Sequence, residues 1–224
     1  MNEALDRLAR EVALADPANE RLRFEFGHAC VLRVKHLLEE PPVLECLSVL
    51  GQYLGGCFDR THLEGAATEA ARIARSNGAL TVIDVEAVLP GVPALLRHID
   101  IIVASEGLPE KLTGHHDTGT ALAAMAREYG PAVACVTLGN AGSLAICQGR
   151  EIRTPAFEVR VVDSTGAGDA FRGGLISGYL RAGADADAGD VLTYATAVAA
   201  LKCRSLGARD GLPRTADVDQ FLRR

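Results

Sequence analysis

From about residue 60 onward the apolar positions alternate between helical spacing and short unbroken runs. In "HLEGAATEAARIARSNG" the Ala, Ile and Leu positions recur at helical spacing, and Asn77-Gly78 supplies a C-terminal stop. "ALTVIDVE" follows as an almost wholly apolar run, the mark of a strand buried on both faces of a parallel sheet. The pattern then repeats: a helix near 91–98, "IDIIVAS" as strand, helices near 106–113 and 117–129, and "PAVACVTLG" as strand. This is the grammar of successive βαβ units, and it predicts an α/β fold.

Beyond residue 140 the rhythm changes, because "GSLAICQG", "REIRTPA" and "FEVRVVD" are short strand-like runs separated by Gly and Pro. They predict an antiparallel edge appended to the sheet. Helices return near 169–182, 187–204 and 215–223. Toward the front, 1–15 and 30–40 have helical spacing, Pro41-Pro42 breaks the chain, and "VLECLSVLGQYLGG" fits a strand or a helix.

Composition narrows the partners. A chain of 224 residues, 48% hydrophobic and 23% charged, can bury the core of one large domain or two small ones. Its formal net charge of -6, with no long Lys/Arg cluster, argues against nucleic acid or an anionic membrane as partner and favours a small molecule. The first twenty residues are charged throughout, with no apolar signal-like region, and no run of about 18 apolar residues follows. A cytoplasmic protein is expected. The six cysteines, Cys30, Cys46, Cys57, Cys135, Cys147 and Cys203, form no C-x-x-C pair, so most read as buried small hydrophobes, and neither a zinc site nor a redox dithiol is suggested. His115 and His116 are neighbours on a predicted loop, where adjacent side chains diverge, and they read as solvated.

The chemistry concentrates in "VVDSTGAGDAFRGG", residues 161–174. Gly166, Ala167 and Gly168 precede a predicted helix whose unpaired N–H groups and dipole suit an anion, and their small side chains allow close approach. A carboxylate at Asp169 would repel a phosphate unless it has another task, and accepting a proton from an attacking hydroxyl is such a task. The competing local reading makes Asp169 a helix cap and the glycines a plain turn. A Rossmann fingerprint fails because Phe171 stands where the third glycine belongs, and a Walker A loop fails for want of Gly-Lys-Ser/Thr.

"DSTGAGDAF" at 163–171 closely resembles the C-terminal signature of the ribokinase/PfkB family of carbohydrate kinases. "VTLGNAGSLAI" at 136–146, "ASEGLPEKLTG" at 104–114 and "ALKCRSLGARDGLP" at 200–213 resemble further family segments in the same order. The resemblance covers about residues 60–223. It implies a ribokinase-like α/β fold: a Rossmann-like, mostly parallel central sheet with helices on both faces. It also implies a kinase that moves the γ-phosphoryl of ATP to a sugar hydroxyl with Mg²⁺. Asp169 is then the base and Gly166, Ala167 and Gly168 the anion hole, with Thr137, Gly139, Gly142 and Thr196 on the nucleotide side. Asp163, by side chain, and Thr165, by backbone, fall where some members bind a monovalent cation, which adds K⁺ to the candidate cofactors. A homodimer is a candidate assembly.

The sequence departs from that family in three places, one of them Thr196, which falls where relatives carry an adenine-side Asn. Where many members carry N-x-x-E, aligning on "EKLTG" places Ser105 and Leu108, and Glu106 is the neighbouring carboxylate that could serve Mg²⁺. The Gly-Gly sugar-binding segment and small β lid of the family are not recognised in residues 1–58, which are taken as an atypical N-terminal segment before a nucleotide-binding and catalytic domain at 59–224. That departure sustains an alternative, a truncated or degenerate member that binds nucleotide without efficient sugar phosphorylation. A Rossmann oxidoreductase ranks behind both.

Overall fold

Three apolar runs become three parallel strands. They are β1 (Val82–Val85), β2 (Ile101–Ala104) and β3 (Val133–Thr137), which pair side by side in that order. β2 is buried at all four positions and β3 at its first four, as strands covered on both faces must be. The computed structural model describes residues 60–183 and 186–223, with Ser48 and Leu50, and divides the chain into two compact units, Met1–Ala79 and Leu80–Arg224.

In the first unit the described residues form helix α1 (Arg60–Ser76), and Ser48 and Leu50 are also helical. α1 ends where Asn77-Gly78 predicts, with the Asn77 side-chain amide donating to the Ile73 carbonyl at 2.9 Å. The remaining expectations for residues 1–58, the missing lid among them, lie outside the described residues.

In the second unit, α2 (Val92–Leu96) joins β1 to β2, and α3 (Leu108–Thr113) and α4 (Thr118–Tyr129) join β2 to β3. Asp117 caps α4 by accepting from the Thr120 N–H at 2.8 Å, which supplies one of the partners a helix start lacks. A hairpin then adds β4 (Ser143–Cys147) and β5 (Arg150–Thr154) as antiparallel strands. The described sheet is therefore mixed, with order β1-β2-β3-β4-β5. Three helices close the chain: α5 (Ala167–Ala182), α6 (Ala188–Lys202) and α7 (Thr215–Leu222).

Side chains alternate across the sheet and so separate two packed layers. Ile101, Val103, Val133, Cys135 and Ala145 face Phe171 and Leu175 of α5 and Val191, Leu192 and Ala195 of α6 in one core cluster. Leu144, one position along from Ala145, reaches instead toward Gly119 of α4. Cys135 and Cys203 are buried small residues, and burial pushes the Cys135 thiol up to about 12, which leaves it inert. His115 and His116 are exposed on the loop between α3 and α4. No described helix is long and apolar enough to cross a membrane.

One predicted strand does not form. "FEVRVVD" at 157–163 is irregular, with Val161 and Val162 more than half exposed. The N–H groups of Val162 and Asp163 both donate to the Cys203 carbonyl, at 2.8 and 3.2 Å, so this backbone is tied to the end of α6 instead of to a sheet edge.

α5 and α6 approach closely because α5 is glycine-rich where they meet. A Cβ at Gly174 would stand 2.9 Å from the Ala195 Cα and 3.0 Å from Val198, whereas a Cβ at Gly173 meets nothing within 4 Å. Gly174→Ala should therefore destabilise by about 1–3 kcal/mol through overpacking. The neighbouring Gly173→Ala should stabilise by up to about 1 kcal/mol through helix propensity. Thermal or denaturant unfolding of the two variants checks the opposite signs.

Candidate active site

The carboxyl ends of β1, β2 and β3 form one edge. The register pairs Val85 with Ala104 and Ala104 with Val136, so the chain leaves all three strands on the side where open α/β sheets bind ligands. α5 starts over this edge, anchored through Arg172. Its guanidinium pairs with the Asp84 carboxylate of β1 at 2.6 Å and also with Asp169, one helical turn back on α5.

These three side chains differ in exposure. Arg172 and Asp84 are each 23% exposed, whereas Asp169 is 76% exposed and free to meet a solute. Burial pushes the Asp84 carboxyl above its ordinary value; the Arg172 charge works against that shift, and the nearby negative charges of Glu86 and Asp169 add to it. Removing Arg172 would leave a half-buried acid facing another acid.

The turn before α5 has the geometry the glycines suggest. Gly166 adopts φ +77°, and a Cβ there would touch Ala208 at 3.0 Å, so both conformation and packing require glycine. Of the proposed anion-hole amides, Ala167 already donates to the Ser164 carbonyl at 3.0 Å. The Ala170 N–H closes the first helical bond onto the Gly166 carbonyl at 2.9 Å. The N–H groups of Gly168 and Asp169 fall between these two and have no helical acceptor, as in any first turn. An anion approaching α5 would meet them.

Asp163 holds the turn from below. Its carboxylate accepts from the Thr165 N–H at 2.9 Å and the Gly207 N–H at 2.8 Å, and its carbonyl accepts from the Lys202 ammonium at 2.8 Å. The bonds from Thr165, then that from Gly207, hold the Asp163 carboxyl down at about 2, with the Lys202 charge adding to the same shift.

Asp169 lines an open cleft of about 620 Å³ between α5, α6 and the segment 208–215, together with Gly173, Tyr194, Ala208, Arg209 and Pro213. A smaller cleft of about 400 Å³, beside Arg204, Asp210 and Phe221, contains none of the residues proposed from sequence.

The remaining proposed residues sit elsewhere. Thr137 ends β3, and the 3₁₀ turn Gly139–Ala141 leads into β4. Gly142 has φ +90°, and a Cβ on it would lie 2.0 Å from the Thr154 carbonyl oxygen, so the hairpin alone accounts for its glycine. Thr196 is buried within α6 and its hydroxyl donates to the Leu192 carbonyl at 2.8 Å, which leaves no donor to offer a nucleotide. Glu106 is exposed on the turn after β2, Ser105 is half-buried beside it, and Leu108 lies in the core at 1% exposure. Among the described residues no group of three or more His, Cys, Asp or Glu could hold a metal by itself. Glu106 therefore suits only a Mg²⁺ that arrives with phosphates and keeps most of its waters.

Sequence reasoning missed Asp84, Arg172, Arg209 and Lys202. The spacing of Arg172 three residues after Asp169 was a readable signal, because such positions are neighbours on a helix. No local pattern marks Asp84 or Lys202.

Comparison with known proteins decides the family. The pattern of the pfkB family carbohydrate kinases matches residues 9–215. The chain belongs to that family. The match starts well before residue 60, so it extends into the segment where the motifs alone had found nothing. A ribokinase from Haemophilus influenzae is 29% identical over 163 residues, covering 68% of this chain and 50% of that protein. A fructokinase from Klebsiella pneumoniae is 32% identical over 126 residues, 55% of this chain and 41% of that one. Among solved structures, Arabidopsis thaliana ribokinase complexed with ribose and ATP superposes with a TM-score of 0.63 at 26% identity, covering 72% of this chain and 53% of that one. Aminoimidazole riboside kinase from Salmonella enterica, complexed with aminoimidazole riboside and an ATP analogue, gives 0.60 at 29% identity, with 71% and 58% covered. The chain thus spans about half the length of the relatives it matches, and the ribokinase-like fold is shown.

The Asp163 cluster generates a pH prediction. A carboxyl held low in the folded state contributes stability that is present above its unfolded value and lost as pH falls through its folded value. The melting-temperature gap between the parent chain and Asp163→Asn should stay constant near neutral pH and narrow as pH falls from the ordinary 3.8 through about 2. Thermal melts across that range check it, and a gap independent of pH would overturn the assignment.

Proposed function

We propose that the chain works as the nucleotide-side and catalytic part of an ATP-dependent carbohydrate kinase, moving the γ-phosphoryl of ATP to a sugar hydroxyl with Asp169 as general base. One observation carries this reading: the exposed Asp169 carboxylate stands in the first turn of α5, beside the unpaired Gly168 N–H and on the cleft. Family membership supports the reaction class, and the ribose, aminoimidazole riboside and nucleotides in related structures belong to those proteins.

In this mechanism the sugar hydroxyl approaches Asp169, whose carboxylate takes its proton as the new P–O bond forms. Arg172 orients that carboxylate while Asp84 fixes the guanidinium from the far side. The Gly166, Ala167 and Gly168 turn presents the positive end of α5 to the phosphoryl group, chiefly through the Gly168 N–H. Arg209, across the cleft, adds a cation near an incoming phosphate, and Thr137 and Gly139 offer a polar end of β3. Bound Mg²⁺ would neutralise phosphate charge, with Glu106 as the one nominated carboxylate near the strand ends. The setting that suits this chemistry is the cytoplasm, where ATP and small sugars are abundant.

A second reading, nucleotide binding without efficient transfer, is favoured by Leu108. A buried apolar side chain stands where many family members carry the glutamate that organises metal and phosphates.

Asp169→Asn should lower transfer by about 10²- to 10⁴-fold while leaving ATP affinity nearly unchanged, because a base acts on the hydroxyl proton and not on the nucleotide. ADP release over a panel of pentoses, hexoses, keto-acid sugars and nucleosides with Mg-ATP, together with ATP titrations, checks both halves. ADP release equal to the no-sugar blank for every acceptor, with ATP still bound, would establish the second reading. Full activity in the variant would remove Asp169 from the mechanism.

A further inference from the structure

Lys202 is the most unusual buried group in the second unit. It ends α6, is fully buried, and directs its ammonium to the backbone carbonyl of Asp163 at 2.8 Å. A charge withdrawn from water needs a partner that repays its lost hydration. Here the partners are the carbonyl of Asp163 and the negative charge of the same residue's side chain, which the Lys202 charge stabilises in turn. The surroundings are equally specific. Gly211 is pressed against the Lys202 backbone, where a Cβ would lie 2.4 Å from its carbonyl oxygen. The Asp163 carboxylate is already held by the N–H groups of Thr165 and Gly207.

Family resemblance assigns Asp163, by side chain, and Thr165, by backbone, to a monovalent cation, and in this chain Lys202 already sets a positive charge against the same turn. K⁺ is bound by oxygens that replace its hydration shell. Both Asp163 carboxylate oxygens face N–H donors, and its carbonyl faces an ammonium. A second cation at that carbonyl would meet a like charge at contact distance. The loop that K⁺ would have ordered is already ordered by the chain itself.

We infer that the Lys202 ammonium is a built-in monovalent cation for the 163–168 turn, so that the first turn of α5 is set for phosphoryl binding without K⁺. The inference rests on the kinase reading for what the turn does, but the ordering itself is a property of the folded chain. A tethered cation cannot dissociate, and its effect should not depend on the salt present. Truncation of the ammonium should open a space beside the Asp163 carbonyl, into which a free cation of similar size can go.

The test compares the full chain in K⁺, NH₄⁺ and tetramethylammonium chloride at equal ionic strength. Melting temperature, ATP affinity by titration and, where an acceptor is found, phosphoryl transfer are measured for the parent chain and for Lys202→Met. The parent chain should give the same melting temperature and the same ATP affinity in all three salts. Lys202→Met should melt lower in tetramethylammonium and recover part of the loss in K⁺ or NH₄⁺. A parent chain that melts higher or binds ATP more tightly in K⁺ than in tetramethylammonium would overturn the inference, and this comparison decides the matter even if Lys202→Met does not fold. A folded variant that ignores all three cations would also overturn it. Absence of sugar phosphorylation in every salt would count against the kinase reading alone, since melting and ATP binding report on Lys202 independently.

Discussion

The direction in which α5 points depends on a tie between two stretches of chain. The N–H groups of Val162 and Asp163 converge on the Cys203 carbonyl, the Gly207 N–H reaches the Asp163 carboxylate, and Lys202 reaches the Asp163 carbonyl. Gly166 then rests on Ala208 with no room for a side chain. Each bond is modest alone, on the order of 1 kcal/mol net for a neutral pair and more when one partner is charged. Together they leave the turn before α5 one path, and the first helical turn emerges over the carboxyl edge of the sheet.

That placement allows Arg172 to join two layers. On α5 it sits within reach of Asp169, and across the edge it meets Asp84 of β1. A single guanidinium between two carboxylates relieves a repulsion that would otherwise grow as the pair lost water. The arrangement stabilises the helix–sheet junction and at the same time restricts the orientations open to Asp169. Structural and chemical roles are not separable at this residue. Asp84, half-buried and dependent on the same cation, shows how the sheet edge is coupled to the cleft.

Much of the second unit was legible from pattern. Unbroken apolar runs marked β2 and β3 because burial on both faces removes the polar positions, whereas β1, which Asp84 interrupts, is only partly buried at three of its four positions. The run at 157–163 misled because its spacing of Phe157, Val159 and Val161 is that of a half-buried strand, while no described strand edge accepts it. Asp169 and the glycine turn were visible because their chemistry is compressed into a few consecutive residues. The Lys202–Asp163 contact spans 39 positions, and Asp84 lies in a different βαβ unit from Arg172, so neither pairing leaves a local trace. Thr196 was nominated by alignment alone, and its hydroxyl, buried among the packed helices, bonds back to the carbonyl four residues earlier.

The two readings of the glycine turn, plain turn or anion site, separate at individual residues. Gly166 is explained by its positive φ and by Ala208, so its presence says nothing about a ligand. Gly168 is different. It has no positive φ, and a Cβ there would touch only the flexible end of Arg172, at 3.4 Å. Backbone conformation does not demand glycine at this position, and helix propensity disfavours it. What a side chain at 168 would obstruct is the crossing of the Arg172 guanidinium toward Asp84 and the approach of a solute to the Gly168 N–H. Both lie beside the Asp169 carboxylate. The glycine that folding does not require is therefore the one that keeps the Asp169 carboxylate and the amide next to it accessible from the same side.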